Sequence, residues 1–170
     1  MNPRLQPRHY DSLEQEAYLN LWRTYDRLKA IEEDLFEAYE LSAQQYNALR
    51  LLQAAESTGM TVQGIGSRLI SRAPDMTRML DRLEQRGWIA RTRRADNRRV
   101  VDVHITESGI KLLDELAEPI LRVHQQQFGH LSPEKLQSLV ALLAEARRPL
   151  EDSESTWAVE EAPAAPGRAD

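Results

Sequence analysis

Apolar residues recur along the first part of the chain with the period of a helix. Leu21, Leu28 and Leu35 are spaced seven residues apart, which predicts one long helix over residues 11–39 with a broad apolar stripe. Part of this stripe is expected to pack into the chain's own core. A second helix is predicted to begin at Ser42, with Gln45 completing a capping box.

Two further helices are predicted before residue 88. Thr61 is a suitable N-cap for a short helix with the sequence VQGIGSRLI, since its hydroxyl can accept a backbone N–H of the first turn. Pro74 is predicted to occupy the first helical position of PDMTRMLDRLEQ, and Gly87 to end that helix. Its outer face is predicted to carry one charged stripe: Asp75, Arg78 and Arg82.

After residue 88, the spacing of apolar residues changes from the period of a helix to that of a strand, in which every second residue is apolar. Ile89–Arg93 and Val100–Ile105 are predicted as the strands of a hairpin, joined by RADNRR with the turn formers Asp96 and Asn97. Thr106 is predicted to cap the next helix and Ser132 the last one. Pro119 is expected to kink or interrupt the first of these. Four apolar residues are predicted to be its buried positions: Ile110, Leu113, Leu116 and Ile120.

Composition places the chain among soluble globular proteins. Its 170 residues are 41% hydrophobic and 29% charged, which suits a single domain. There is no cysteine, which excludes disulfides and thiolate-bound metals. No apolar run approaches the roughly 20 residues of a membrane span, and the first residues lack the apolar centre of a signal peptide. A cytoplasmic location without membrane association is therefore expected.

Charge is segregated along the chain, although the net charge is -5. Residues 68–99 contain ten arginines, no lysine and four acidic residues. The forked guanidinium group suits phosphates and base edges. A solvated basic surface is the alternative interpretation.

The order of these elements favours DNA binding. A short helix followed by an arginine-striped helix is typical of a helix-turn-helix, whose second helix enters the major groove. The basic-tipped hairpin after it is typical of a wing that reaches the adjacent backbone or minor groove. The expected fold is therefore mainly α with a small β-hairpin, a winged helix-turn-helix.

Two segments resemble the MarR family of transcriptional regulators: TRMLDRLEQRGWI and DNRRVVDVHITESG. Asp96 and Arg98 match the family pattern D-x-R, and Thr106 and Gly109 match T-x-x-G. The resemblance covers residues 12–148. It implies a homodimeric regulator, by default a repressor, that binds a pseudo-palindromic operator. Its two recognition helices are then about 34 Å apart.

The resemblance also implies a division of the chain. Residues 1–40 form an N-terminal dimerisation helix, residues 41–105 the DNA-binding lobe, and residues 106–148 the C-terminal dimerisation helices. Residues 149–170 are rich in Pro, Ala and Glu, and such a tail is expected to be flexible. Trp157 is unusual in it and is a candidate for attaching the tail to the body.

Nine residues are candidates for contact with double-stranded DNA. Arg78 is the first choice for a guanine edge or a phosphate, with Arg72 and Thr77 beside it and Arg82 extending the stripe. Alternatively, Arg82 pairs with Asp75 or with acidic residues of the first helix. Three further arginines are expected to contact phosphates: Arg93, Arg94 and Arg99.

The remaining two candidates lie at the hairpin tip. Arg98 resembles the wing arginine that family members insert into the minor groove. Asp96 resembles the carboxylate that orients this arginine, although Asp96 also suits an Asx-turn.

The resemblance implies a small aromatic or anionic effector that binds between the dimerisation helices and the DNA-binding lobe. Trp22 and Asp75 are of the types found at comparable positions in the urate-responsive branch. The favoured interpretation of Trp22 is nevertheless a core or dimer-interface residue and not a residue that stacks on the ligand. No catalytic motif, cofactor motif or metal-ligand spacing is present. The rival functions are a winged-helix module that binds proteins and a nonspecific architectural DNA binder.

Overall fold

A computed structural model describes residues 10–70, 75–94, 97 and 99–150. Arg72, Pro74, Asp96, Arg98 and the segment from residue 151 onward, with Trp157, lie outside the described residues. The helices are α1 (Leu13–Ala38), α2 (Ala43–Ala54), α3 (Val62–Arg68), α4 (Met76–Gln85), α5 (Glu107–Phe128) and α6 (Pro133–Arg147). The strands are β1 (Met60–Thr61), β2 (Ile89–Arg93) and β3 (Val101–Ile105).

Side chains cap the helices where the sequence predicts it. Ser42 and Gln45 form the capping box, with the Gln45 N–H donating to Ser42 Oγ at 3.2 Å and the Ser42 N–H donating to Gln45 Oε1 at 2.9 Å. The hydroxyl groups of Thr61, Thr106 and Ser132 cap α3, α5 and α6, each accepting the backbone N–H of the residue three positions on. Each cap satisfies a backbone donor that the helix itself leaves unpaired.

The predicted hairpin is confirmed, and a third strand joins it. β2 and β3 pair antiparallel from Ile89 opposite Ile105 to Arg93 opposite Val101. β1 pairs with the other edge of β3, so the strand order is β1-β3-β2. Two residues are too few to show an alternating pattern, which is why β1 was not predicted.

Helix α5 differs from the prediction in its continuity at Pro119 and in one of its buried positions. The helix continues through Pro119 without interruption. A proline removes only one backbone donor, and the burial of Leu116 and Ile120 on either side holds the helix together. Ile110 is 39% exposed, and Leu112 takes its place in the core.

The elements from α1 to α5 share one hydrophobic core. Its fully buried side chains come from α1, α2, α3, α4, β3 and α5: Phe36, Leu49, Leu52, Ile65, Leu80, Leu83, Val103, Leu113 and Leu116. The sheet and the helices α2 to α4 are thereby fixed as one lobe, with α5 and the C-terminal end of α1 packed against it.

The two ends of the described chain, in contrast, are poorly covered. Phe36 is the one buried residue of α1, and α6 has none. The predicted leucine stripe divides accordingly, because Leu35 packs against the core, Leu28 is half-buried and Leu21 is 51% exposed. None of the helices in the described part is both long and apolar enough to span a membrane.

Candidate DNA-binding interface

Helix α4 begins at Met76, and its N-cap is Asp75, whose Oδ1 accepts the Arg78 N–H at 2.9 Å. The helix therefore starts later than the prediction that placed Pro74 at its first position. Asp75 is committed to the cap and is not part of the outward stripe. A carboxylate at this end also complements the helix dipole.

The outer face of α4 presents Thr77, Arg78 and Arg82 to solvent, while Met79, Leu80 and Leu83 are buried. Within the described residues, Arg78 and Arg82 make no ion pair. The alternative in which Arg82 pairs with Asp75 or with α1 is therefore not observed. Both guanidinium groups are available to an anionic partner.

The C-terminal end of α4 is held by a left-handed glycine. Gly87 has φ 72°, and its N–H donates to the Glu84 carbonyl at 2.8 Å, while the Trp88 N–H donates to the Leu83 carbonyl at 3.0 Å. This is a Schellman motif. It confirms Gly87 as the end of the helix and directs the chain into β2.

The T-x-x-G pattern joins this helix end to α5. The Thr106 hydroxyl donates to the Gly87 carbonyl at 2.6 Å, and the same oxygen accepts the Gly109 N–H at 3.1 Å. A Cβ on Gly109 would clash with the Trp88 carbonyl, so only glycine allows this approach. The motif thus fixes α5 against the base of the wing.

A side-chain contact also ties α1 to the end of α4. Arg86 forms an ion pair with Glu40, which follows α1 and has φ 51°. The Arg86 Cζ lies 4.6 Å from the centroid of the Trp88 ring, in the range of a cation–π contact. Trp88 is half-buried between α4 and β2.

The wing is β2, β3 and the turn between them. The Arg94 N–H donates to the Val100 carbonyl at 3.2 Å, and the Val100 N–H donates to the Asn97 carbonyl at 2.9 Å. The Asn97 side chain accepts the Arg99 N–H at 3.1 Å, which is an Asx-turn contact. Arg93, at the end of β2, and Arg99, on the turn, are exposed and have no ion pair among the described residues.

Arg94 is bound within the wing. Its Nε and Nη2 donate to the two carboxylate oxygens of Asp102 at 2.6 and 2.9 Å. These hydrogen bonds lower the pKa of Asp102, since they favour its ionised form. Arg94 is therefore less available for the phosphate contact predicted from the sequence than Arg93 or Arg99.

Arg91 connects the wing to α4. Its Nη2 donates to Asp81 Oδ1 at 2.5 Å and to Glu84 Oε2 at 2.6 Å, and its Nε donates to Glu84 Oε2 at 2.9 Å. The Glu84 Oε1 also accepts the Arg91 backbone N–H at 3.2 Å. The hydrogen bond from Arg91 lowers the pKa of Glu84.

The structure thus divides seven arginines of α4 and the wing region into two groups. Arg86, Arg91 and Arg94 are paired with Glu40, with Asp81 and Glu84, and with Asp102. Four exposed arginines lack an ion pair among the described residues: Arg78, Arg82, Arg93 and Arg99. The acidic partners were not predicted, because they become visible only once the position of β2 and β3 relative to α4 is known.

The two residues predicted to bind an effector, Trp22 and Asp75, differ in their surroundings. Trp22 is 60% exposed on α1, with its ring centroid 6.1 Å from that of Tyr18. The interpretation of Trp22 as a core residue of its own chain is therefore wrong. Asp75 caps α4 and gives its Oδ1 to a backbone N–H. The described residues contain no group of three metal-ligating side chains.

Half-buried Glu32 on α1 provides a test of the junction between α1, α2 and α5. Burial raises its pKa, partly offset by His124. A raised pKa in the folded state means that the contribution to stability is present below the unfolded pKa and lost as pH rises through the folded value. Glu32→Gln is therefore expected to raise the thermal midpoint by a few degrees at pH 7–8.

This gain should shrink towards pH 4, where Glu32 of the wild type becomes protonated to an increasing extent in both the folded and the unfolded state and so resembles the neutral glutamine. Glu33→Gln is the matched control, because Glu33 is exposed and pairs with Lys29 at 3.0 Å. It should give no such gain. Thermal unfolding followed by circular dichroism across pH measures both, and an unchanged midpoint for Glu32→Gln at pH 8 would contradict the burial cost.

Helix α4, with exposed arginines on its outer face, is preceded by α3 and followed by the two-stranded wing of β2 and β3. This arrangement defines a winged helix-turn-helix DNA-binding protein. The family model of the MarR family matches residues 41–101. A MarR transcription factor from Planctomyces limnophilus has 53% identity and a TM-score of 0.65, over 81% of this chain and 99% of that one. The chain belongs to the MarR family of transcriptional regulators.

Two further similarities have lower identity. The transcriptional repressor MprA of Escherichia coli is 27% identical over 91% of this chain and 89% of its own length. The DNA complex of S. aureus MepR has 25% identity and a TM-score of 0.69, covering 78% of this chain and 97% of MepR. The protein is accordingly a DNA-binding transcriptional regulator of the helix-turn-helix type, and the family is one of regulators, not enzymes.

Proposed function

We propose that this protein is a repressor that binds a pseudo-palindromic operator as a homodimer in the cytoplasm. The observation that carries the proposal is the group of exposed arginines on α4 and on the wing that have no ion pair among the described residues. In this arrangement α4 reads base edges in the major groove, and the wing holds the flanking phosphates. Repression follows if the operator overlaps a promoter.

The poor burial of α1 and α6 within the described residues supports the homodimer. A 15-residue helix without a buried residue, such as α6, gains little from tertiary packing and is marginal by itself. On α1, Tyr18, Leu21, Trp22 and Tyr25 form one exposed apolar stripe, too large to be left in water by a monomer. A second copy covers both, and residues 1–40 and 106–148 then form the dimerisation region around the lobe of residues 41–105.

The effector remains part of the proposal. A small aromatic or anionic molecule bound between the dimerisation helices and the lobe changes the spacing of the two copies of α4 and releases the operator. Exposed Trp22 is suited to stack on an aromatic ring, at the dimer interface or beside it. Calorimetry with urate tests the nearest chemical class; no heat of binding alongside intact operator binding excludes it.

Selection of bound sequences from a random DNA library tests the function as a whole. The expected product is an inverted repeat whose half-sites are one helical turn apart, bound at least about 10³ times more tightly than random DNA. A ratio near one indicates a nonspecific architectural binder. No DNA binding at low salt indicates a protein-interaction module.

Arg98 is the proposed minor-groove residue of the wing, with Asp96 as its orienting partner. Arg98→Ala is expected to weaken operator binding by about 1–3 kcal/mol at matched salt, because it removes a contact that the rest of the wing cannot replace. Fluorescence anisotropy with the selected operator measures it. Arg98→Ala that binds as tightly as the wild type would remove Arg98 from the interface.

A further inference from the structure

Arg91 lies in the basic segment, but its side chain is turned towards α4 and not towards the open face. It is 23% exposed and makes all of its described side-chain hydrogen bonds to Asp81 and Glu84. Asp81 and Glu84 are three residues apart and therefore share one side of α4, the side that faces β2. One guanidinium group thus joins the second strand to the recognition helix.

The backbone takes part in the same contact. Glu84 accepts the Arg91 N–H with one oxygen and the Arg91 side chain with the other. A planar, forked guanidinium held by two carboxylates allows little rotation. The orientation of β2 relative to α4 is therefore set by side chains in addition to the chain connection through Gly87 and Trp88.

We propose that Arg91 is a positioning residue that determines the specificity of DNA binding without contacting DNA. By fixing the wing relative to α4, it lets the two elements engage the groove and the flanking backbone at the same time. This inference rests on the proposed DNA-binding roles of α4 and the wing.

The expected effect falls on specificity because the two kinds of DNA contact tolerate displacement differently. Phosphates recur along the whole duplex, so a shifted wing still finds one. Base edges must be met at one position and angle, so a shifted helix loses them. A mispositioned wing therefore lowers the affinity for the operator more than the affinity for random DNA.

The test uses a double variant that leaves the net charge unchanged. Glu84→Gln with Arg91→Met breaks the connection while removing one negative and one positive charge. The operator-to-random affinity ratio, measured with the sequence selected by the wild type, is expected to fall about tenfold, the scale of one lost base contact. The slope of log K against log salt is expected to stay at the wild-type value, since no phosphate contact is lost.

Arg93→Met is the matched control, because it removes an exposed wing arginine and leaves the Arg91 contacts intact. It should lower both affinities equally and reduce the salt slope by about one. The proposal is overturned if the double variant keeps the wild-type ratio, or if it behaves as Arg93→Met does, which would make Arg91 a phosphate contact.

A second variant keeps the test valid if the double variant does not fold. Asp81→Asn with Glu84→Gln is nearly isosteric, frees Arg91 and removes two negative charges from the face. Binding to random DNA should then tighten while the operator-to-random ratio falls; a rise of both affinities with an unchanged ratio overturns the proposal. A wild type without any sequence preference would instead refute the proposed function itself, and with it this inference.

Discussion

Replacing Leu21 and Leu142 with aspartate is expected to leave a monomer whose affinity for the operator is about 10²–10⁴ times lower. Both side chains are exposed in the single chain, at 51% and 63%, and the proposed dimer buries them. An unpaired carboxylate in such an interface is strongly unfavourable. The operator affinity falls because the second half-site no longer binds as part of the same molecule.

Sedimentation equilibrium gives the oligomeric state, and anisotropy with full and half operators gives the affinities. Half-operator affinity should change little, since no arginine of the DNA-binding face is altered. Ile70→Asp is the control, because Ile70 is 73% exposed in the DNA-binding lobe and its replacement should leave the dimer intact. If the double variant remains dimeric at micromolar concentration, the proposed interface is wrong.

Arg78→Ala is expected to weaken operator binding by about 1–3 kcal/mol, roughly 5- to 150-fold, and to relax the preference at one base pair of each half-site. The guanidinium is exposed, one turn into α4, and unpaired among the described residues. Its backbone N–H remains capped by Asp75 in the variant. The free energy of unfolding should therefore be unchanged.

Lys29→Ala is the control for charge, because it removes one positive charge from α1, where Lys29 pairs with Glu33. Lys29→Ala should lower the affinities for operator and for random DNA slightly and by the same factor. Repeating the selection with Arg78→Ala shows which base pair loses its preference. A variant with the wild-type affinity and the wild-type sequence preference would show that Arg78 does not read a base.

The sequence predicts those parts of the fold that depend on near neighbours. The capping box at Ser42, the caps at Thr61 and Thr106 and the left-handed stop at Gly87 involve groups within a few residues of one another, and all are observed. Pro119 is the exception among local signals. Its local cost is outweighed by burial on both sides, which only the packed structure shows.

The partners of the arginines depend on packing and could not be predicted from spacing. Arg91 reaches Glu84 seven residues back, Arg94 reaches Asp102 eight residues on, and Arg86 reaches Glu40 across 46 positions. Ten arginines form one basic segment in the sequence, but pairing in three dimensions selects which of them are available to DNA. The leucine stripe of α1 was ambiguous for the same reason, because its period shows an apolar face and not what covers it.

At position 40, the backbone conformation favours glycine, whereas the ion pair with Arg86 requires a glutamate side chain. The Glu40 backbone is left-handed, a conformation that costs an ordinary residue about 1–2 kcal/mol and that glycine adopts freely. Glycine would therefore remove the backbone strain after α1, but it has no side chain to form the ion pair with Arg86. The chain keeps a left-handed residue whose side chain connects the end of α1 to the end of α4. In the proposed dimer, a tilt of α1 would therefore be transmitted through Glu40 and Arg86 to the end of α4.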